Sequence, residues 1–590
     1  MPNPLVSDRF IDFLLSEVLD AEGLCRLPAF SEHSRATFRP WLDACRRVAR
    51  EVLWPAYEPM DHKPPRFDNE AVLVHPAMRE CWSSLVSLGV LNATRPPAVG
   101  GQHLPLTVAT LAHAYLMAAN LSAYGFAGLT SGAAHLIEVF GADEVKALFL
   151  APLYEGRWTG TMALTEPQAG SSLGDVSTIA TPAADGRFRL RGAKLFISGG
   201  DHDLTENIVH LVLARIEGAP AGTRGISLFA VPKRRPHEGR LVDNDVVTSG
   251  LIRKIGWKGL PSVALSLGDD GDCLGWLVGP EHQGLKCMFQ MMNEARLMVG
   301  MNAAATASVA FHEALEYARV RRQGRALGVN DPAQPPVALV EHPDVRRMLL
   351  RQKAIVEGAF AVIGLAARFA DVSEHAPDEA TRSEAKLLLD LLTPIAKSFP
   401  AEKGFEANTL AVQVHGGYGY TSEYLPEAWL RDQKLNSIHE GTTTIQGLDL
   451  LGRKVVAGGG AALAALERHV RAAIAEAKAK DLTFIEPLEQ GLEHLLRVTA
   501  TLGGRGVSGD VAGMLAHSAD YLDLASTVIV GWAWVSMATR AHGRGDDFSR
   551  GLTQAARYWL ATELPRTSHL AHLCESNESS YLDLRDEWLG

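Results

Sequence analysis

Apolar positions change their spacing three times along the chain, and each change marks a different kind of element. From about residue 36 to 158 they recur with a helical period, as in Leu106 to Leu121, with breaks at Pro96-Pro97 and Gly100-Gly101. Between about 159 and 280 the pattern shortens to β-type runs, Ile208–Leu213, Ile226–Val231 and Val263–Leu267, separated by turn-rich pieces. Long helical segments return from Gly284, with Gln290 to Tyr317, His342 to Phe369 and Thr381 to Phe399. Gly458-Gly459-Gly460 reads as a linker before a last, Ala-rich helical block. The expected organisation is a helical extension over 1–35, a helical domain over 36–158, a β-domain over 159–280, a helical bundle over 281–456 and an added helical domain over 461–590.

Composition narrows the class without deciding it. A chain of 590 residues, 47% hydrophobic and 21% charged, has material for several packed cores, and length alone suggests about four domains. The formal net charge of -11 argues against a nucleic-acid partner. The acid-rich last block does not read as a basic arm and is expected to pack as an added layer or an oligomer interface. Cys25, Cys45, Cys81, Cys273, Cys287 and Cys574 are scattered, with no CxxC pair and no metal-ligand spacing, so they read as reduced thiols. The start, Met1-Pro2-Asn3-Pro4-Leu5, lacks the basic and apolar regions of a signal peptide, and no run reaches the 18 or so apolar residues of a membrane span. A cytoplasmic location is the expectation.

Candidate chemistry centres on Ser437-Ile438-His439-Glu440-Gly441-Thr442-Thr443-Thr444-Ile445-Gln446. A carboxylate followed by glycine and hydroxyls can take a proton while a ligand approaches the backbone and polar side chains offer neutral hydrogen bonds. A solvated cap or an ion-pair member is the alternative for such a glutamate at a helix end.

Four further motifs accompany it. They are Met162-Ala163-Leu164-Thr165-Glu166-Pro167-Gln168-Ala169-Gly170-Ser171-Ser172, Lys194-Leu195-Phe196-Ile197-Ser198, Tyr317-Ala318-Arg319-Val320-Arg321-Arg322-Gln323-Gly324 and Gln413-Val414-His415-Gly416-Gly417-Tyr418-Gly419-Tyr420. In this order, over about residues 40 to 455, the chain resembles the acyl-CoA dehydrogenases, flavin enzymes that desaturate acyl-CoA thioesters between Cα and Cβ. The resemblance implies a mainly α fold with a central β-barrel-like domain and a four-helix bundle, here with a C-terminal helical extension. That extension, with Phe196-Ile197-Ser198-Gly199-Gly200-Asp201-His202-Asp203, is similar to a longer bacterial group that includes fatty-acyl and 3-methylmercaptopropionyl-CoA dehydrogenases.

The resemblance also implies roles. Met162, Leu164 and Thr165 would lie along the FAD ring and Ser171 near the CoA chain. Phe196 and Ser198 take the places of a Trp-Ile-Thr triplet that packs on the flavin. Arg321 stands where an arginine reaches the FAD pyrophosphate of a neighbouring subunit, and Gln413, Gly416 and Gly417 where a turn approaches that same FAD. Thr442 matches a flavin-binding threonine, and Thr444 occupies the place of a glutamine that contacts the cofactor. His439 replaces a tyrosine and is expected at the flavin edge or in the core.

Glu440 is the implied base. Some members carry their glutamate on the helix read here as Met291-Met292-Asn293-Glu294-Ala295-Arg296-Leu297, but that position is Ala295, and Glu294 lies about 100° round the helix. Arg296 is then the arginine near base and CoA, with Gly441 beside the substrate; small residues such as Gly300 and Ala303 leave room for an acyl tail or allow close helix packing. The implied reaction turns a saturated acyl-CoA into a trans-2-enoyl-CoA, as in fatty acid β-oxidation. Glu440 removes the α-proton, the β-hydride passes to flavin N5, and electrons go on to an electron-transfer flavoprotein. An FAD site shared between subunits implies at least a homodimer. Two readings compete with this one: an acyl-CoA oxidase that uses dioxygen, and a non-catalytic acyl-CoA or flavin-binding protein.

Overall fold

The computed structural model describes residues 3–68 and 71–590, and the backbone alone over 289–293, so the side chains of Met291, Met292 and Asn293 lie outside the described residues. Its contacts divide the chain into two compact units, one of Glu32–Ala295 and one of Met1–Ser31 with Arg296–Gly590.

In the unit of Glu32–Ala295, α1 (Leu106–Ala119) and α2 (Leu121–Phe140) form the centre of the helical part. Helix α1 is buried on nearly every side, which explains a sequence apolar all round rather than striped. Asn120 separates the two: its extended backbone ends α1, and its side-chain oxygen accepts from Ala123 N at 3.0 Å to start α2. One element departs from the all-helical expectation for residues 36–158. Arg66–Asp68 and Ala71–Leu73 pair as a short antiparallel hairpin, too brief to leave a period-2 signal.

Eight strands form the main sheet that follows, β1 (Trp158–Ala163), β2 (Ile179–Pro182), β3 (Phe188–Ser198), β4 (Asn207–Ile216), β5 (Ile226–Pro232), β6 (Val246–Leu251), β7 (Ser262–Leu267) and β8 (Leu274–Val278), with a separate hairpin of Arg234–His237 and Arg240–Asp243 between β5 and β6 in the chain. Strand β3 pairs β8, β8 pairs β5, β5 pairs β4, β4 pairs β2 and β2 returns to β3, so five strands close on themselves. This is the barrel-like domain that the resemblance implied. Strands β7 and β6 continue from β3, and β1 lies parallel to β4 at the other end. Leu190, Ile197, Val212, Phe229, Val263 and Leu265 belong to one buried core between these strands.

The second unit is helical: α3 (Gly284–Val320, of which Arg296 onward belongs here), α4 (Pro343–His375), α5 (Glu379–His415), α6 (Thr443–Asp449) and α7 (Ser518–Ala541). Asp378 caps α5 by accepting from Thr381 N at 2.8 Å. Helices α3 and α5 meet at Gly300, where an added Cβ would lie 1.9 Å from the Ala396 carbonyl oxygen. The last block packs as a layer on α4: Val530 and Trp534 of α7 close over Gly358, and Trp534 Nε1 donates to Ala354 O at 3.0 Å. Helix α7 is long and apolar enough to cross a membrane, yet 89% of its most apolar window is buried inside the fold. The N-terminal segment is equally built in, since the fully buried Asn3 donates to Val309 O at 3.0 Å and Ser308 Oγ to Leu5 O at 2.8 Å.

Candidate active site

Each unit carries its own cluster of the residues singled out in the sequence. In the barrel unit, β1 delivers Met162 and leads into Leu164 and Thr165, which are half-buried, while Ser171 beyond them is exposed. Leu195 N donates to Thr165 O at 2.9 Å, so the Thr165 motif lies directly against β3. Between Lys194 and Ile197 the pairing of β3 with β7 slips by one residue, and Phe196 takes a left-handed φ of 61°. The bulge turns an aromatic ring out of the sheet, leaving Phe196 60% exposed, with Ser198 half-buried two residues on. A large apolar ring presented on a strained backbone fits a flat heteroaromatic ligand such as a flavin.

Beneath this surface lies an ion pair that the sequence reading did not identify. Lys194 Nζ is 2.8 Å from Glu166 Oε1 and also donates to Leu164 O at 3.1 Å and Leu213 O at 2.7 Å. Glu166 further accepts from Ser177 N at 2.7 Å and from Thr178 N at 3.0 Å and Oγ1 at 2.5 Å. Burial alone would push the Glu166 carboxyl up, but Lys194 and these donors outweigh it and hold it at about 2. The pair fixes both the carbonyl of Leu164 and the strand that carries Phe196.

In the helical unit, Glu440 sits in the bend between Leu435–Ser437 and α6, with left-handed φ values of 53° at Glu440 and 88° at Gly441. Such a backbone is strained for a glutamate and must be held by its surroundings. Gln446 Nε2 donates to Glu440 O at 3.0 Å and Gly441 O at 3.4 Å, and Lys397 Nζ donates to Gly441 O at 2.7 Å. Thr442 caps α6 by accepting from Ile445 N at 3.4 Å, Thr443 donates to Glu402, and Thr444 is exposed. Glu440 as a residue is exposed, but its carboxyl lies low among the surrounding protein atoms. That desolvation raises its pKa above the ordinary carboxylate value, while the cations of Lys397 and Arg296 pull it part of the way back.

Arg296 is buried and committed to Asp449, at 2.5 Å, and Asp449 also binds Arg453 at 2.7 Å. It therefore acts on Glu440 through its field. Glu294, in the other unit, faces His135 at 3.6 Å. Where α3 and α5 end, Arg321 lies over the Tyr418 ring at 6.0 Å and Tyr317 stacks on His415 at 4.3 Å. This gathers Arg321, Gln413, Gly416 and Gly417, all exposed, around one polar, aromatic surface. Lys397 was also missed. Its importance emerges only in the fold, which buries residues 391–401 throughout, and a lysine in such a run needs a partner.

A barrel-like sheet that presents an exposed aromatic ring, and a helical unit that holds a recessed carboxylate on a strained turn, fit the class of flavin-dependent dehydrogenases. Comparison with known proteins is specific. Successive segments match the N-terminal domain (37–157), middle domain (161–269) and C-terminal domain (282–455) of acyl-CoA dehydrogenase, and the acetyl-CoA dehydrogenase C-terminal-like domain (466–585). A 3-methylmercaptopropionyl-CoA dehydrogenase from Ruegeria pomeroyi is 37% identical over 526 residues, covering 86% of each chain. The broad-specificity linear acyl-CoA dehydrogenase FadE5 of Mycobacterium tuberculosis is 32% identical and covers 97% of each. A crystal structure of an acyl-CoA dehydrogenase complexed with FAD, from Bacillus anthracis, superposes with a TM-score of 0.75 at 21% identity, covering 99% of this chain and 92% of that one.

The chain belongs to the acyl-CoA dehydrogenase family. It is an acyl-CoA dehydrogenase.

Proposed function

We propose that the enzyme oxidises a saturated, linear acyl-CoA to the trans-2-enoyl-CoA, a step of fatty acid β-oxidation, with Glu440 removing the α-proton. The observation that carries this reading is the recessed Glu440 carboxyl on a strained, doubly held turn. An α-proton next to a thioester is weakly acidic, so its base works best with a proton affinity raised towards neutrality, which desolvation supplies. The Glu440 backbone N–H would donate to the thioester carbonyl and stabilise charge developing there. Ser171, Arg296 and Gly441 are the proposed substrate-side residues.

The FAD would be held by Met162, Leu164, Thr165, Phe196 and Ser198 on the barrel unit. Arg321, Gln413, Gly416, Gly417, Thr442 and Thr444 would hold it on the helical unit, with the site completed across a homodimer. Bound FAD supplies the acceptor for the β-hydride. An electron-transfer flavoprotein is the proposed electron acceptor and the cytoplasm the proposed location. The names of the relatives, one for a methylthio acyl-CoA and one for linear acyl-CoAs, support an unbranched chain.

The test is anaerobic titration of the yellow holoenzyme with saturated acyl-CoAs from propionyl to palmitoyl, with 3-methylthiopropionyl-CoA included. Bleaching of the flavin band at about 450 nm is expected, slowed by about 10²- to 10⁴-fold in Glu440→Gln. Full activity in Glu440→Gln would overturn the base assignment, and tight binding without bleaching would favour a binding protein. Stoichiometric peroxide with no transfer to a flavoprotein would make the enzyme an oxidase.

A further inference from the structure

Lys397 lies within α5, its side chain fully buried. Among the described residues it forms no ion pair, and its one hydrogen bond is the 2.7 Å contact to Gly441 O. A buried ammonium satisfied by a single carbonyl is costly, and a methionine of the same length would fill the space without that cost. The carbonyl it binds belongs to the turn that carries the base. Gln446 secures the same turn from α6 by donating to Glu440 O and Gly441 O, so donors from two helices hold consecutive carbonyls. The turn depends on glycine at 441: its φ of 88° disfavours any side chain, and a Cβ there would lie 2.6 Å from Gln446 Nε2 and displace that donor.

We infer that Lys397 is a positioning residue for the reaction: it clamps the left-handed Glu440-Gly441 turn from behind, so that the base's carboxylate and backbone N–H keep one orientation, and it places a fixed positive charge beside the base. The inference rests on the proposed role of Glu440. The charged neighbours are few. From α3 comes Arg296, paired with Asp449 of α6; from α5 come Lys397 itself and Glu402, which accepts from Thr443; His439 adjoins Glu440 in sequence. Burial lowers the Lys397 ammonium to about 8, against the opposing pull of Glu440 and Glu402, so it is mostly charged at neutral pH and fully so below. Its charge favours the ionised form of Glu440.

The experiment compares Lys397→Met, Lys397→Gln, Gln446→Leu and Glu440→Gln as FAD-loaded enzymes, with folding checked by circular dichroism and flavin content. In Lys397→Met, kcat falls by about 10- to 100-fold with little change in KM, the expected effect of a misplaced base. The acidic limb of kcat/KM moves to higher pH by about one unit, because a cation favouring the carboxylate has gone. Lys397→Gln keeps a donor without charge, so part of kcat returns while the limb stays displaced. Gln446→Leu lowers kcat and leaves the limb in place.

An independent readout is the protonated-carboxyl infrared band of the apoprotein, assigned to Glu440 by its loss in Glu440→Gln and titrated with and without Lys397. Its midpoint rises in Lys397→Met. A well-folded Lys397→Met or Lys397→Gln with unaltered kcat, limb and infrared midpoint would overturn the inference, provided Glu440→Gln is inactive. Should Lys397→Met fail to fold, the Lys397→Gln limb and infrared midpoint decide alone. An active Glu440→Gln would instead sink the base assignment, whatever Lys397 does.

Discussion

Lys194 Nζ stands 2.8 Å from Glu166 Oε1 with both side chains sealed from solvent, and the same ammonium holds the carbonyl of Leu164. A surface pair would contribute little, but removing one member here leaves a buried, uncompensated carboxylate. Lys194→Met is therefore expected to destabilise the barrel unit by about 3–5 kcal/mol, read as a lower urea midpoint. Because Leu164 and the strand carrying Phe196 lose a shared anchor, FAD affinity should fall as well. Unchanged stability and affinity would mean that the barrel does not depend on the pair.

Acid should act through the partner carboxylate. Glu166 titrates at about 2 in the folded protein against 4.5 ordinarily, so its contribution is fully present above the ordinary value and disappears as pH falls from there to about 2. The stability at stake is about 3 kcal/mol. Urea midpoints measured between pH 5 and 3 should drop in the wild type, and Glu166→Gln, less stable at neutral pH, should show a shallower drop. Parallel slopes would assign the acid sensitivity to other carboxylates.

Arg296 and Asp449 offer a cleaner separation of pairing from burial. Both are buried 2.5 Å apart, with Asp449 also bound by the more exposed Arg453. Burial alone would raise the Asp449 carboxyl, but Arg296 first and Arg453 next keep it below its ordinary value. Arg296→Met should cost about 3 kcal/mol. Combining it with Asp449→Leu should recover part of that loss, because the orphaned charge is then gone. A thermodynamic double-mutant cycle checks this; simple additivity of the two losses would exclude direct coupling.

Much of this architecture was legible because period and length agree. Leu106 to Leu121 reads as helix and is helix, apart from the one-residue break that Asn120 makes, and the runs around Val209, Phe229 and Leu265 are strands of one core. The closure of five strands is not carried by any local run, since it rests on two brief pairings, β2 with β4 and β3 with β8, that join residues distant in the chain; only the resemblance supplied it. At the candidate site, glutamate followed by glycine was visible as chemistry. The lysines were not, because Lys194 and Lys397 look like ordinary strand and helix cations until burial and contacts assign them partners. Arg296 was legible as a charge near the base, but its commitment to Asp449, 153 residues away, is a tertiary fact.

Gly300 can separate the two roles that its small size allows. A Cβ there would lie 1.9 Å from the carbonyl oxygen of Ala396 and 3.4 Å from Cα of Lys397, both backbone atoms of α5, so the glycine serves close helix contact. Backbone cannot turn aside as a flexible side chain can, and Gly300→Ala must push α3 and α5 apart, at about 1–3 kcal/mol. The displaced segment carries Lys397, whose bond to Gly441 O is only 2.7 Å long, so turnover should fall by a similar factor for every acyl chain length. A glycine that made room for an acyl tail would behave differently: Ala would spare stability, leave short substrates untouched and selectively raise KM for long ones. Urea unfolding and kcat/KM from butyryl- to palmitoyl-CoA tell the cases apart, and the contact with Ala396 predicts lower stability with an unchanged chain-length profile.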